Sequence, residues 1–202
     1  MAERTDGLHR AITYPLFYKG LMYAFGADKA LSRYASILDA KPGCRMLDVG
    51  CGPANILAYL PEVQYTGIDL NPRHIEFAKK RYNCSTNFLV GDVTKTDFGG
   101  QFDLINLSGV LHHLDDADAK RLLNHLGGLL GENGRIVTLD NVWLPKQRLA
   151  VKILNSLDSG QNIRSPEQYM TLFSSAGLRL QTRVTSDLLR VPYDHFIVVA
   201  TR

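Results

Sequence analysis

Met46-Leu47-Asp48-Val49-Gly50-Cys51-Gly52-Pro53-Ala54 carries a short apolar run directly into two glycines one residue apart. A strand that ends in bare backbone and gives way to a helix puts no Cβ in the path of a ligand, so the N–H groups of the turn can be approached closely. The same alternation continues downstream. Apolar runs at 45–49, 65–69, 87–90, 102–106 and 135–139 are separated by helical patterns near Asn55–Tyr59, Pro72–Arg81 and 117–130. Strand and helix in strict turn imply an α/β fold, a doubly wound, mostly parallel sheet with helices on both faces. After residue 145 come helical patterns at 146–157 and 166–175. Two β-rich runs follow, 178–184 and 196–201, joined by a linker with Pro192, and they predict an antiparallel hairpin that completes a seven-stranded sheet.

Upstream, residues 1–40 repeat apolar side chains at helical spacing until Lys41-Pro42-Gly43 stops the pattern. No low-complexity stretch or repeat divides the chain, so one domain over 1–202 is expected. Within it, 1–40 form a helical lid or cap, 41–145 a cofactor-binding core, and 146–202 the substrate-side helices and closing hairpin. The 202 residues are 45% hydrophobic and 21% charged, which excludes a disordered chain. No apolar run is long enough to span a membrane, and the start has no apolar core of a signal peptide. Three cysteines without a C-x-x-C pair suit a reducing compartment. A cytoplasmic protein with no membrane partner is therefore expected. A net charge of +3 from 23 basic and 20 acidic residues does not mark a nucleic-acid binder.

Each of the first three strands ends near an acid. Asp48 precedes the glycines, where a carboxylate suits a ligand bearing positive charge. Asp69 ends the second strand 17 residues beyond Gly52. Asn71 followed by Pro72 is the better helix cap there, so Asp69 is left to accept both hydroxyls of a ribose. Asp92 follows Gly91 and could accept from an exocyclic amine such as that of adenine, with Val93 against the ring face. Three acids on one edge agree with the rule that such sheets bind ligands at their carboxyl ends. A dinucleotide loop would want a third glycine where Asn55 stands.

With Leu47-Asp48-Val49-Gly50-Cys51-Gly52, Gly67-Ile68-Asp69-Leu70, Gly91-Asp92-Val93 and the run Phe102-Asp103-Leu104-Ile105-Asn106-Leu107-Ser108-Gly109-Val110-Leu111-His112-His113-Leu114, the chain resembles the class I S-adenosylmethionine-dependent methyltransferases. The resemblance implies a Rossmann-like sheet and S-adenosylmethionine as cofactor, released as S-adenosylhomocysteine. It places the glycine turn of Gly50, Cys51 and Gly52 at the methionine part, Asp69 and Leu70 at the nucleoside, Asp92 and Val93 at the adenine, and backbone near Leu107 and Ser108 at the amino group. Ala54 departs from the pattern, many members having a third glycine there. No metal is implied.

His112 and His113 fall near where the methyl would point, and one of the two could remove a proton from a hydroxyl or amine acceptor; the pair itself does not say which. Acceptor contacts are expected from Tyr14, Tyr18, Asn141 and Arg164. Arg164 has a second reading, pairing with Asp158 to order its own loop. The acceptor is expected to be a small molecule attacking through oxygen, nitrogen or carbon. Nucleic acid is disfavoured because Asn106-Leu107-Ser108-Gly109 stands where an amino-methylating Asn-Pro-Pro-Tyr motif would. Two alternatives remain: a nicotinamide-dependent oxidoreductase, and a catalytically silent cofactor-binding subunit or sensor.

Overall fold

A computed structural model describes residues 27–82, 86–158, 160–186, 188 and 193–202. Most of the expected N-terminal cap, including Tyr14 and Tyr18, lies outside them, as do Cys84 and Pro192. Among the described residues seven strands form one sheet: β1 (Arg45–Val49), β2 (Gln64–Asp69), β3 (Asn87–Val90), β4 (Phe102–Ser108), β5 (Leu130–Asn141), β6 (Arg179–Thr185) and β7 (His195–Thr201). Their spatial order is β3-β2-β1-β4-β5-β7-β6. The first five pair in parallel; β7 pairs antiparallel with both β5 and β6, so the C-terminal hairpin is inserted with its second strand innermost. The helices are α1 (Ala27–Leu38), α2 (Pro72–Arg81), α3 (Asp116–Gly128), α4 (Leu149–Leu157) and α5 (Pro166–Leu172). The segment expected as a helix at Asn55–Tyr59 is a 3-10 turn.

Period-two alternation assigns each strand residue to a face. Leu47, Val49, Ile105, Leu107 and Ile136 pack with Leu122, Leu126 and Leu172 of α3 and α5. Met46, Leu104 and Val137 point the other way, onto Tyr34 and Leu38 of α1 and Ile75 of α2. Each central strand is thus buried on both sides, which is why it reads as a continuous apolar run. Asp48 and Asn106 occupy the next positions on the α1 face, and both are buried. Helix ends follow local chemistry. Asn71 accepts from the Arg73 N–H ahead of Pro72. Ser165 and Gln168 cap each other at α5, with Pro166 as the first helical residue. Among the described residues, no helix is long and apolar enough to cross a membrane.

Candidate active site

The carboxyl ends of β1, β2, β3, β4 and β5 meet at one edge. After β1, the N–H groups of Gly50 and Cys51 both donate to the Ile68 carbonyl, at 2.8 and 3.1 Å, which bends the chain out of the sheet. Gly50 and Gly52 have φ of 67° and 54°. At Gly50 a Cβ would meet the Val110 side chain, whereas at Gly52 the space is open. The turn therefore needs glycine for its backbone at both positions and presents an unobstructed surface at the second. Ala54 also has positive φ, 55°, which shows why a third glycine would sit comfortably there.

Asp69 stitches the turn to the start of α2. Its Oδ2 accepts from Gly52 N–H at 2.8 Å and its Oδ1 from Asn71 N–H at 2.8 Å, with His74 Nδ1 3.3 Å away. Burial would raise the Asp69 pKa, yet His74 and the two N–H groups hold it below the ordinary carboxylate value. Asp69 is not the cap of α2; Asn71 is. Asp92 caps the short 3-10 turn Val93–Lys95, taking the Thr94 N–H and hydroxyl at 3.0 and 2.7 Å, and the Thr94 bonds hold its pKa low. Val93 is a correction: its side chain belongs to the core and is not presented to a ring. Leu70, 71% exposed, and Val90 are instead the apolar side chains open at this edge.

Asp48 is 2% exposed. It accepts from Tyr65 Oη at 2.5 Å and from Asn106 Nδ2 at 2.7 Å, and Asn106 Oδ1 in turn accepts from Tyr34 Oη at 2.6 Å. Burial pushes its pKa up to about 6, against the pull of Tyr65 and Asn106. Both of these partners, Tyr65 and Asn106, are neutral. Cys51 beside it is a part-buried thiol, raised in pKa by burial and by Asp48 and Asp69. Leu107 is fully buried as a side chain, so only its backbone is available to a ligand, while Ser108 at the end of β4 is exposed.

On the acceptor side, His112 is enclosed. Its Nδ1 lies 2.8 Å from Asp140 Oδ1 and its Nε2 3.5 Å from Asp158 Oδ1. Burial opposes protonation of this ring, but Asp140 and Asp158 prevail and raise its pKa. Gly160 packs so closely on the ring that an added Cβ would collide with Cδ2. With a carboxylate near each nitrogen and backbone over its edge, His112 is 5% exposed. His113 is exposed, its ring centroid 4.2 Å from that of His112. Asn141 Nδ2 reaches Asp158 Oδ2 at 3.0 Å, and Tyr193 Oη lies 3.3 Å from that same carboxylate oxygen.

Arg164 does not face an acceptor. Only 5% exposed, it gives Nε to Asp116 at 2.8 Å and spends its other nitrogens on the carbonyls of Leu111, Asn162 and Leu114 at 2.7–2.9 Å. Five donors in a planar fork suit this clamp, which fastens residues 160–165 to the turn holding His112. The loop-ordering reading holds, with Asp116 in place of Asp158 as the partner.

A family model described as a methyltransferase domain matches residues 46–134, the stretch that contains the turn, all three acids and the two histidines. Over that stretch the chain is similar to methyltransferase domains. Phosphoethanolamine N-methyltransferase 3 of Arabidopsis thaliana is 28% identical to this chain over 159 residues, covering 75% of the chain and 32% of the plant protein. Squalene methyltransferase 1 of Botryococcus braunii is 32% identical over 190 residues, 86% of the chain and 49% of the relative. The chain thus spans about a third to a half of the length of these relatives. A TehB-like SAM-dependent methyltransferase from Corynebacterium glutamicum shares its fold with a TM-score of 0.70 at 21% identity, over 97% of this chain and all of that one.

Sequence reasoning did not find how this chain partners Asp48 or His112. Asn106 carried a signal: a polar residue at a buried-face position, two after Leu104, marks a built hydrogen-bond site. Tyr34 carried none beyond helical spacing, and the contacts of Asp140 and Asp158 with one imidazole depend on how a distant loop folds back.

Proposed function

We propose that the chain is an S-adenosylmethionine-dependent methyltransferase acting on a small-molecule acceptor, the whole of 1–202 working as one unit. The observation that supports it best is Asp48: a buried carboxylate whose bonded partners among the described residues are neutral, beside a glycine turn with open space at Gly52. Such a charge is costly to bury alone and favours a cationic ligand over a neutral one. S-adenosylmethionine supplies, when bound, a methyl group activated by a sulfonium, so the protein's part is alignment and exclusion of water.

In this reading the turn of Gly50, Cys51 and Gly52 takes the methionine part, with backbone at Leu107 and Ser108 near its amino group. Asp69 keeps lone pairs for ribose hydroxyls beyond those given to Gly52 and Asn71, since a carboxylate offers about four acceptor sites. Asp92 Oδ2, near Lys95, meets the adenine amine, and Leu70 covers the ring. The enclosed pair of His112 and Asp140 shapes the acceptor side, while His113, on the solvent side, is the imidazole placed to take a proton. Asn141 lines the same end. The acceptors named for the relatives, phosphoethanolamine and squalene, differ widely in polarity. They support small-molecule methylation as a class without selecting one acceptor.

The test is calorimetric titration of the full chain with S-adenosylmethionine and S-adenosylhomocysteine. Saturable binding of both is expected; heat from a nicotinamide dinucleotide with none from either of these ligands would overturn the reading.

A further inference from the structure

Helix α1 is joined to the glycine turn by a buried chain of hydrogen bonds. Tyr34, 2% exposed, gives its hydroxyl proton to Asn106 Oδ1, and Asn106 Nδ2 donates to Asp48 Oδ1. Asp48 and Asn106 are direct neighbours across the β1–β4 pairing, so the contact is built into the sheet register. The direction of the chain matters. An amide is asymmetric, and if Asn106 turned over, its oxygen would face the carboxylate, acceptor against acceptor. The Tyr34 hydroxyl, by occupying Oδ1 with a donor, fixes the N–H side toward Asp48.

We propose that Tyr34 and Asn106 are positioning residues for the cofactor: through the amide of Asn106, helix α1 keeps a hydrogen-bond donor on Asp48 and so keeps that carboxylate ready as an anion for a cationic ligand. The inference rests on the function proposed above and adds residues that the glycine-turn motif does not contain.

The surroundings of Asp48 make the effect measurable. Tyr65 and Asp69 face it from β2, Cys51 from the turn, Asn106 from β4 and Tyr34 through Asn106 from α1; Asp140 of β5 acts on Tyr34. Of these only the aspartates are charged near neutrality, and their sign matches that of Asp48. Burial already brings its pKa to about 6. Hydrogen bonds to the ionised form lower a carboxyl pKa, so losing the Asn106 donor moves it further up. A cationic ligand does the reverse, and binding then expels a proton wherever free Asp48 is protonated. Affinity is level at high pH and weakens as pH falls through the free-state pKa, by at most about tenfold per unit. Without the Tyr34 hydroxyl the weakening starts at higher pH.

The experiment is calorimetric titration with S-adenosylmethionine from about pH 5.5 to about pH 8.5, on the natural chain and on Tyr34→Phe. The ratio of the two dissociation constants is expected to grow by about threefold to eightfold between pH 8.5 and pH 5.5, for a loss of about half to one pKa unit. The contact of His74 with Asp69 is untouched by the substitution, so the ratio reads Asp48. A ratio constant across pH means Tyr34 merely packs, and overturns the proposal; so does a ratio of one throughout. If Tyr34→Phe does not fold, Asn106→Ser, too short to reach Asp48, must show the same upward shift, and no shift overturns the proposal. A natural chain that binds neither S-adenosylmethionine nor S-adenosylhomocysteine even at high pH overturns the function proposed above as well, whereas binding without the pH-dependent ratio overturns this inference alone.

Discussion

Gly52 N–H donates to Asp69 Oδ2 at 2.8 Å while the other oxygen of Asp69 accepts from Asn71 N–H at 2.8 Å, so one carboxylate fixes both the glycine turn and the start of α2. Hydrogen bonds to a charged group contribute about 1.5–3 kcal/mol each. Asp69→Asn keeps the shape but removes the charge and puts an N–H where an acceptor stood. S-adenosylhomocysteine affinity is expected to drop by about tenfold or more, with a smaller drop for Asp92→Asn at its more exposed position. Titration calorimetry on the two variants checks the order; equal affinities in Asp69→Asn and the natural chain would remove Asp69 from the site.

Arg164 is expected to matter for stability. Lysine at 164 has one ammonium where the guanidinium satisfies Asp116 and three carbonyls, so Arg164→Lys is expected to cost about 2–4 kcal/mol of unfolding free energy. Urea unfolding measures it through the midpoint. Cofactor affinity is expected to change far less, because the bonds of Arg164 go to Asp116 and to the carbonyls of Leu111, Asn162 and Leu114, none of them in the glycine turn. A large affinity loss with unchanged stability would contradict the clamp.

The central sheet was legible because its strands are buried on both faces and punctuated by caps that work locally: Asn71-Pro72 and Ser165-Pro166 end up where their chemistry says. The strand-end acids were legible as positions, since β1, β2 and β3 stop where the apolar runs stop. Their partners were not. Whether Asp69 caps a helix or holds a turn depends on Gly52 folding back from 17 residues earlier, a separation that pattern reading does not see. His112 shows the same limit more strongly. Two adjacent histidines look alike in sequence, but one is sealed under Gly160 between Asp140 and Asp158 and the other is exposed, a difference made by a loop nearly 50 residues away along the chain.

Gly160 gives a direct test of that seal. A methyl group at 160 would run into His112 Cδ2, and backbone on the same ring leaves little room to yield. Gly160→Ala is expected to destabilise by about 1–3 kcal/mol, the usual cost of overpacking, and to displace the loop from the imidazole. Calorimetric unfolding reports the first and the His112 ring resonances in NMR the second. Because Asp158 raises the His112 pKa, the variant's ring is expected to titrate at lower pH than in the natural chain. An unchanged titration with lowered stability would mean that Asp158 stays in place without the loop.

Two buried groups at opposite sides of the same edge should make stability respond to pH in opposite senses. Burial raises Asp48 to about 6, so between pH 4 and 6 the native state holds a proton that the unfolded state has lost, and stability falls as pH rises. Burial lowers His195 to about 4, against Asp194 and with His112 adding to the lowering; over nearly the same window the unfolded state holds a proton that the native state has lost, and stability rises. Each contribution is about 3 kcal/mol at full extent, so the two offset in the natural chain. Removing one exposes the other. His195→Leu is expected to lose stability from pH 4 to 6, and Asp48→Asn to gain it from pH 4 to 6.5. Urea midpoints at three pH values in that window decide the matter, since slope is read independently of whatever each substitution costs in packing. Slopes of the same sign in both variants would show that at least one of these groups keeps an ordinary pKa in the folded protein.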